Sequence, residues 1–341
     1  MKSTIFYRLD GFEADNLLAF FALLGLLRAL EAFDQKMEQE KRLYPRVSWS
    51  DAPVYPVLHV SQNLSREEVA ERAADGIALL AGEHQFGDHL DLDYVQKDAR
   101  ALLCEAARSA DCKNRYRADL LAALMSDGAV KDDKKAKSAV IDPTPICLLF
   151  GGGHQHFLDR LARVPNDCAP PQRGRGKSAV TLSPAECLAE ALYSPWHRKD
   201  PTFSFRWDPE EAVRYALMAG DPTDVDYKVY TQHGANRLAA IGISTLTVAP
   251  RTRGGRVRAF ILGGYMDGGE FAFAWPIWRP AISLAAVRGL LGHPGLWEEN
   301  GLTHLDVVNV FVARRIQVAR LMNFTRGVPL SEWQTAKGER R

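Results

Sequence analysis

Residues 17–30 read Leu-Leu-Ala-Phe-Phe-Ala-Leu-Leu-Gly-Leu-Leu-Arg-Ala-Leu, with Arg28 as their one charge. Apolar side chains at nearly every position cover the whole circumference of a helix, so this helix has no face to offer water and belongs in the middle of a core. It is too short to cross a bilayer. Asp15 or Asn16 stands where a capping side chain is needed. The rest of the chain must therefore bring apolar surface to this helix from several directions. A chain of 341 residues, 46% of them hydrophobic, can do so. Charged residues from 34 to 42 then carry the helix out into solvent.

The remaining punctuation suggests an α+β fold of mixed helices and antiparallel strands. Residues 4–9 read as an opening strand, closed by a turn at Asp10-Gly11. Strands are expected over 47–49 and 54–60, with Pro53 and Pro56 marking edges or irregular pairing. Ser65-Arg66-Glu67-Glu68 is a capping-box start to a helix reaching about residue 80. Helical period recurs over 94–110 and 117–125, and 139–150 reads as a buried strand broken by Pro143 and Pro145. Ser183-Pro184-Ala185-Glu186 and Asp208-Pro209-Glu210-Glu211 each start a helix, the second running to 218. Residues 241–248 and 257–262 flank an Arg/Gly-rich tip, as in a hairpin. A strand is expected over 271–275 and a helix over 280–291, while periodicity does not decide between strand and helix for 307–322. Residues 164–178, rich in Pro and Gly, form an exposed loop or linker. The organisation is open to two lobes: 1–163 with the Leu-rich helix, a 164–180 linker, and 181–341 with the Arg-rich hairpin.

Charge is balanced overall, 43 Lys+Arg against 42 Asp+Glu, which excludes a protein that is basic throughout. The distribution is uneven. Three stretches hold no acid at all: 168–185 with Arg173, Arg175 and Lys177; 251–258 with Arg251, Arg253, Arg256 and Arg258; and 307–331 with Arg314, Arg315, Arg320 and Arg326. Arginine's planar fork of donors suits phosphate oxygens and guanine edges, and neighbouring glycines let backbone approach a phosphate chain. Three such stretches in one half of the chain point to a polyanionic partner.

Catalytic signatures are weak. Gly151-Gly152-Gly153-His154-Gln155-His156 puts two histidines two apart, and these could ligate a metal on an extended chain. A metal-dependent nuclease using His154 and His156 is therefore one alternative. His84 and His89 with Asp88, Asp91 and Asp93 lack any organising metal pattern. Gly174-Arg175-Gly176-Lys177-Ser178 ends like a phosphate-binding loop, but Pro171 stands where its first glycine must be. No catalytic residue, metal or cofactor is expected. The five cysteines, Cys104, Cys112, Cys147, Cys168 and Cys187, show no CxxC spacing and read as reduced thiols. Residues 1–10 lack a signal-peptide layout, so a cytoplasmic location and no membrane contact are expected.

Two further strings carry a resemblance. Phe205-Arg206-Trp207-Asp208-Pro209-Glu210-Glu211 continues into Arg214-Tyr215-Ala216-Leu217, and Thr231-Gln232-His233-Gly234-Ala235-Asn236-Arg237-Leu238-Ala239 follows. With the strand, Gly turn and Leu-rich helix at the start, they make the chain resemble subunits of type I-G (formerly I-U) CRISPR effector complexes, especially compact relatives of the large subunit. The resemblance covers roughly a third of the chain. It implies a non-enzymatic subunit of an antiviral RNA-guided (Cascade) complex. Its partners would be guide RNA, target DNA near its flanking motif (PAM), other effector subunits and a separate helicase–nuclease. In such complexes base pairing reads sequence while protein reads a short duplex motif and the backbone. Asn236 and Arg237 join the expected nucleic-acid contacts, since Asn can pair with adenine and Arg with guanine or phosphate. The other alternative is an adaptor that touches only protein subunits through its Leu-rich helix.

Overall fold

The computed structural model describes residues 5–111, 114–131, 138–149, 155–166, 172–174, 176–211, 228–267, 269–318 and 321–338. The chain is α+β. It opens with β1 (Ile5–Arg8), α1 (Leu17–Lys36), β2 (Arg46–Trp49), β3 (Pro56–Val60) and α2 (Arg66–Ala81). The three strands lie in the order β1-β3-β2 and are antiparallel to their neighbours. β1 and β2 are therefore parallel with β3 between them, a split βαβ arrangement. Asn16 is the residue that caps α1, its side-chain oxygen accepting the Ala19 N–H at 3.3 Å. The Ser65/Glu68 capping box forms as expected. At the far end of α1, Asp34 accepts the N–H groups of Leu43 and Tyr44, each at 2.7 Å, and turns the chain back toward β2.

Next come α3 (Gln96–Ser109), α4 (Tyr116–Leu124), α5 (Phe157–Asn166), α6 (Pro184–Tyr193), the short ribbon β4 (Pro201–Thr202) and β5 (Val229–Tyr230), and α7 (His233–Gly242). The α1–α7 crossing is a backbone contact. A Cβ on Gly25 would sit 1.8 Å from the Leu238 carbonyl oxygen, and one on Gly242 would sit 2.1 Å from that of Phe21. Residues 139–149 form only single bridges, through Val140 to Val95 and Ile141 to Val130, because Pro143 and Pro145 cannot donate to a ladder. The expected helix after Asp208 lies outside the described residues beyond Glu211.

The last third supplies β6 (Val248–Arg253), β7 (Arg256–Ile261), β8 (Gly264–Asp267), β9 (Glu270–Trp278), α8 (Leu284–Leu291), β10 (Val307–Val318), β11 (Leu321–Phe324), β12 (Val328–Pro329) and α9 (Leu330–Gly338). β6 and β7 form a separate hairpin, while the larger sheet runs β11-β10-β9-β8 with β12 also beside β10. The ambiguous 307–322 segment is thus mostly strand. β9 is buried from Phe271 to Trp278. Its Phe273 meets Phe21 edge-on at 5.2 Å, and its Trp275 stacks near Phe20 at 5.8 Å. The Trp278 indole N–H donates to the Val47 carbonyl at 2.8 Å, joining this sheet to the N-terminal one. One connected set of buried apolar residues extends from Leu9 to Leu330, so 1–163 and 181–341 line the same core. At the end of the chain, the Lys337 ammonium lies 4.1 Å from the Tyr265 ring centre and pairs with Asp267 at 2.8 Å.

One acid on α1 carries a measurable consequence. Burial pushes the Glu31 carboxyl from its ordinary 4.5 up to about 7, against the pull of Arg28. A folded-state value above the unfolded one contributes stability below pH 4.5 that is lost as pH rises through 7. Glu31→Gln, which has no charge to bury, is expected to flatten that decline and to be more stable than the parent at pH 8 by about 1–3 kcal/mol. Urea unfolding across pH 4 to 8 checks this, and parallel curves for the two proteins would refute it.

Candidate nucleic-acid interface

The β6–β7 hairpin pairs Val248 with Ile261, Pro250 with Ala259 and Thr252 with Val257 at one set of alternate positions. The other set pairs Ala249 with Phe260, Arg251 with Arg258 and Arg253 with Arg256. Positions alternate between the two faces of a ribbon, so the first set lies on one face and the second set, with Arg251, Arg256 and Arg258, on the other. The first face turns inward at its root, where Val248, Ala259 and Ile261 are buried. Gly254 and Gly255 close the hairpin with φ of +55° and +75°, the two left-handed residues of a type I′ turn.

Like charges directly opposite each other weaken a ladder, so this register works against folding. Two contacts bear on these pairs. The Arg251 guanidinium lies over the Phe260 ring at 4.8 Å. Arg258, with a side chain still 42% exposed, comes within 3.9 Å of Asp142. Asp142 also accepts the Ala259 N–H at 2.9 Å, fixing the hairpin root to the 138–149 segment. Arg315 of β10 reaches the same segment, donating to the Pro145 carbonyl at 3.2 Å. This adds a cation beside the hairpin base.

The other expected contacts sit elsewhere. Arg173 makes a bidentate pair with Glu190 at 2.7 and 2.8 Å and also binds Asp200. These carboxylates raise its pKa above the ordinary arginine range, and the 172–180 stretch is tied to α6 through them. Lys177 is exposed on a short 3-10 turn, and Arg175 lies outside the described residues. Asn236 and Arg237 are each 1% exposed. The helix begins at His233 with Gln232 as its cap, which puts Asn236 inside the first turn, where its amide donates to the Gln232 carbonyl at 2.9 Å. Arg237 donates to the Pro165 carbonyl at 3.2 Å. Every residue of α7 is buried, so the surface role expected for these two gives way to an interior one.

The Arg-Trp-Asp string is likewise interior. Asp208 is fully buried and receives Asn16 at 3.1 Å, Arg198 at 2.8 Å and Thr231 at 3.2 Å. It ties the cap of α1 to the approach to α7. Arg206, at φ +65°, donates to Gln155 at 2.7 Å and lies 3.8 Å from Glu211. Burial pushes the Glu211 carboxyl up to about 7 despite Arg206. Sequence reasoning took Asp208 for a helix start and missed this hub, because its partners Asn16 and Thr231 are distant in the chain.

His154 lies outside the described residues, and His156 pairs with Asp91 at 2.7 Å. His84 is buried, which lowers its pKa to about 3 and keeps the ring neutral. Its Nδ1–H donates to the Leu161 carbonyl, so Nε2 accepts the Tyr116 hydroxyl at 2.7 Å. Among the described residues no group of three or more His, Cys, Asp or Glu could hold a metal ion, and no helix is long and apolar enough to cross a membrane. No protein-family model matches the chain, and no curated protein matches it.

Proposed function

We propose that this chain is a non-catalytic nucleic-acid-binding subunit of a type I CRISPR effector complex, gripping target DNA or guide RNA through the arginine face of the β6–β7 hairpin. In that role it works beside other effector subunits in the cytoplasm and helps a separate helicase–nuclease to dock. The observation that carries the reading is the register of the hairpin, which sets Arg251 against Arg258 and Arg253 against Arg256. A ladder that places like charges opposite each other gains from a phosphate chain laid across it, since the anion removes the repulsion. Phosphate contacts do not read sequence, and this fits a division of labour in which the guide supplies specificity.

The test is a salt titration. If the four arginines neutralise three to four phosphates, affinity for a mixed-sequence duplex falls roughly 50- to 150-fold between 50 and 200 mM salt. Fluorescence anisotropy with the purified chain measures it. Affinity that does not change with salt would defeat the reading, because a protein that binds only other subunits has no counterions to release.

A further inference from the structure

We infer that the outer face of the N-terminal sheet is a stacking platform for the bases of single-stranded nucleic acid, centred on Phe6 and its cross-strand neighbour His59. The register places Phe6, His59 and Arg46 in one row across all three strands, and Arg8, Val57 and Ser48 in the next. The opposite face, with Tyr7, Leu58 and Val47, is turned toward the core. Phe6 is 69% exposed, an unusual position for a phenylalanine in the middle of a regular strand. Its ring centre lies 6.4 Å from that of His59, tilted by 45°. The histidine is held by Ser48 Oγ at 2.8 Å, so the second ring has a fixed orientation.

The chemistry of the face selects the occupant. Its six positions carry two arginines and a histidine and no carboxylate of their own. Asp10 pairs with Arg8 at 2.5 Å, and the Arg8 side chain stays half exposed while its guanidinium lies 5.6 Å from the Tyr55 ring centre. Arg46, at the other end of the first row, is exposed. Aromatic faces flanked by cations fit a chain whose bases are unstacked and whose backbone is anionic. The order β1-β3-β2 with α1 and α2 in the connections is that of a four-stranded split βαβ sheet without its last strand. In RNA-recognition sheets of that kind, bases stack on aromatics of the strands. A duplex, whose bases are already stacked, offers Phe6 no free base to stack on.

The platform is separate from the arginine hairpin, so the two can fail independently. The experiment measures binding of the full chain to a uridine-rich RNA oligomer, a thymidine-rich DNA oligomer and a mixed-sequence duplex. Phe6→Ala is expected to weaken binding of one or both single strands by about 5-fold or more while leaving the duplex unchanged, and Phe6→Tyr to retain it. The more affected single strand identifies whether RNA or DNA is the natural occupant. Thermal melts show whether Phe6→Ala folds, as expected for so exposed a side chain. If Phe6→Ala does not fold normally, Arg46→Gln with the same oligomers takes its place, with the same preference for single strands expected. Unchanged affinity for both single strands in a folded variant overturns the proposal and leaves the face to a protein neighbour. An equal loss on duplex and single strands also overturns it, since stacking requires unpaired bases.

Discussion

Replacing Arg251, Arg253 and Arg256 by glutamate and Arg258 by glutamine is expected to lower affinity for nucleic acid at least about 50-fold at 100 mM salt and to flatten its salt dependence. Glutamine is chosen at position 258 because Asp142 lies 3.9 Å away, and a second carboxylate there would loosen the hairpin root. The other three substitutions exchange one like-charge pairing for another or relieve it, so the ladder is not asked to bear more repulsion than before. The buried end of the hairpin, held by Val248, Ala259 and Ile261, is untouched. A matching thermal melt together with the lost affinity would tie the effect to charge. Affinity within about 3-fold of the parent would remove the hairpin from any nucleic-acid role.

Gly25→Ala is expected to cost about 3 kcal/mol or more, the largest loss from an added methyl group at any of the described glycines. The added Cβ would sit 1.8 Å from the Leu238 carbonyl oxygen and 3.1 Å from the Gly242 nitrogen. Both obstacles are backbone, so no rotamer change can make room. α1 and α7 would have to separate, opening gaps along a contact that holds buried residues on both helices. Gly289→Ala on α8, where an added Cβ meets nothing within 4 Å, serves as the matched control and should be neutral or slightly stabilising. Denaturant unfolding compares the two, and equal midpoints would show that the crossing is looser than described.

Local signals were legible in the sequence where they act over a few residues. The caps at Asn16, Ser65 and Ser183 and the Leu-rich helix form as their residues suggest. The hairpin, by contrast, closes at Gly254-Gly255 with Val248–Arg253 as its first strand, and 241–247, expected as strand, instead end α7 and continue through a 3-10 turn. Acid-free windows were a poorer guide, because a window measures distance along the chain and a field depends on distance in space. Arg326 lies in such a window, yet it binds Glu13, Asp15 and Glu210 at 2.6 to 2.9 Å. Arg173 finds Glu190 and Asp200 in the same way. Within the hairpin, too, Arg258 comes near an acid distant in the chain, Asp142 at 3.9 Å. Asn236 and Arg237 were misplaced for a related reason: a helix enclosed on all sides buries its polar residues along with its apolar ones, and only tertiary neighbours reveal that enclosure. The Phe6 platform was hidden because a four-residue strand of Ile-Phe-Tyr-Arg does not show which of its aromatics faces inward.

The all-round burial of α1 has a consequence during synthesis. α1 is complete at residue 36, but α7 begins about 200 residues later and β9 later still. At the usual ribosomal pace of about 5–20 residues per second, its Leu and Phe side chains wait some 10–40 s for the surfaces that will cover them. During that interval the nascent segment is an adhesive strip outside the exit tunnel. Holdase chaperones that cover this strip during synthesis should therefore raise the yield of intact protein.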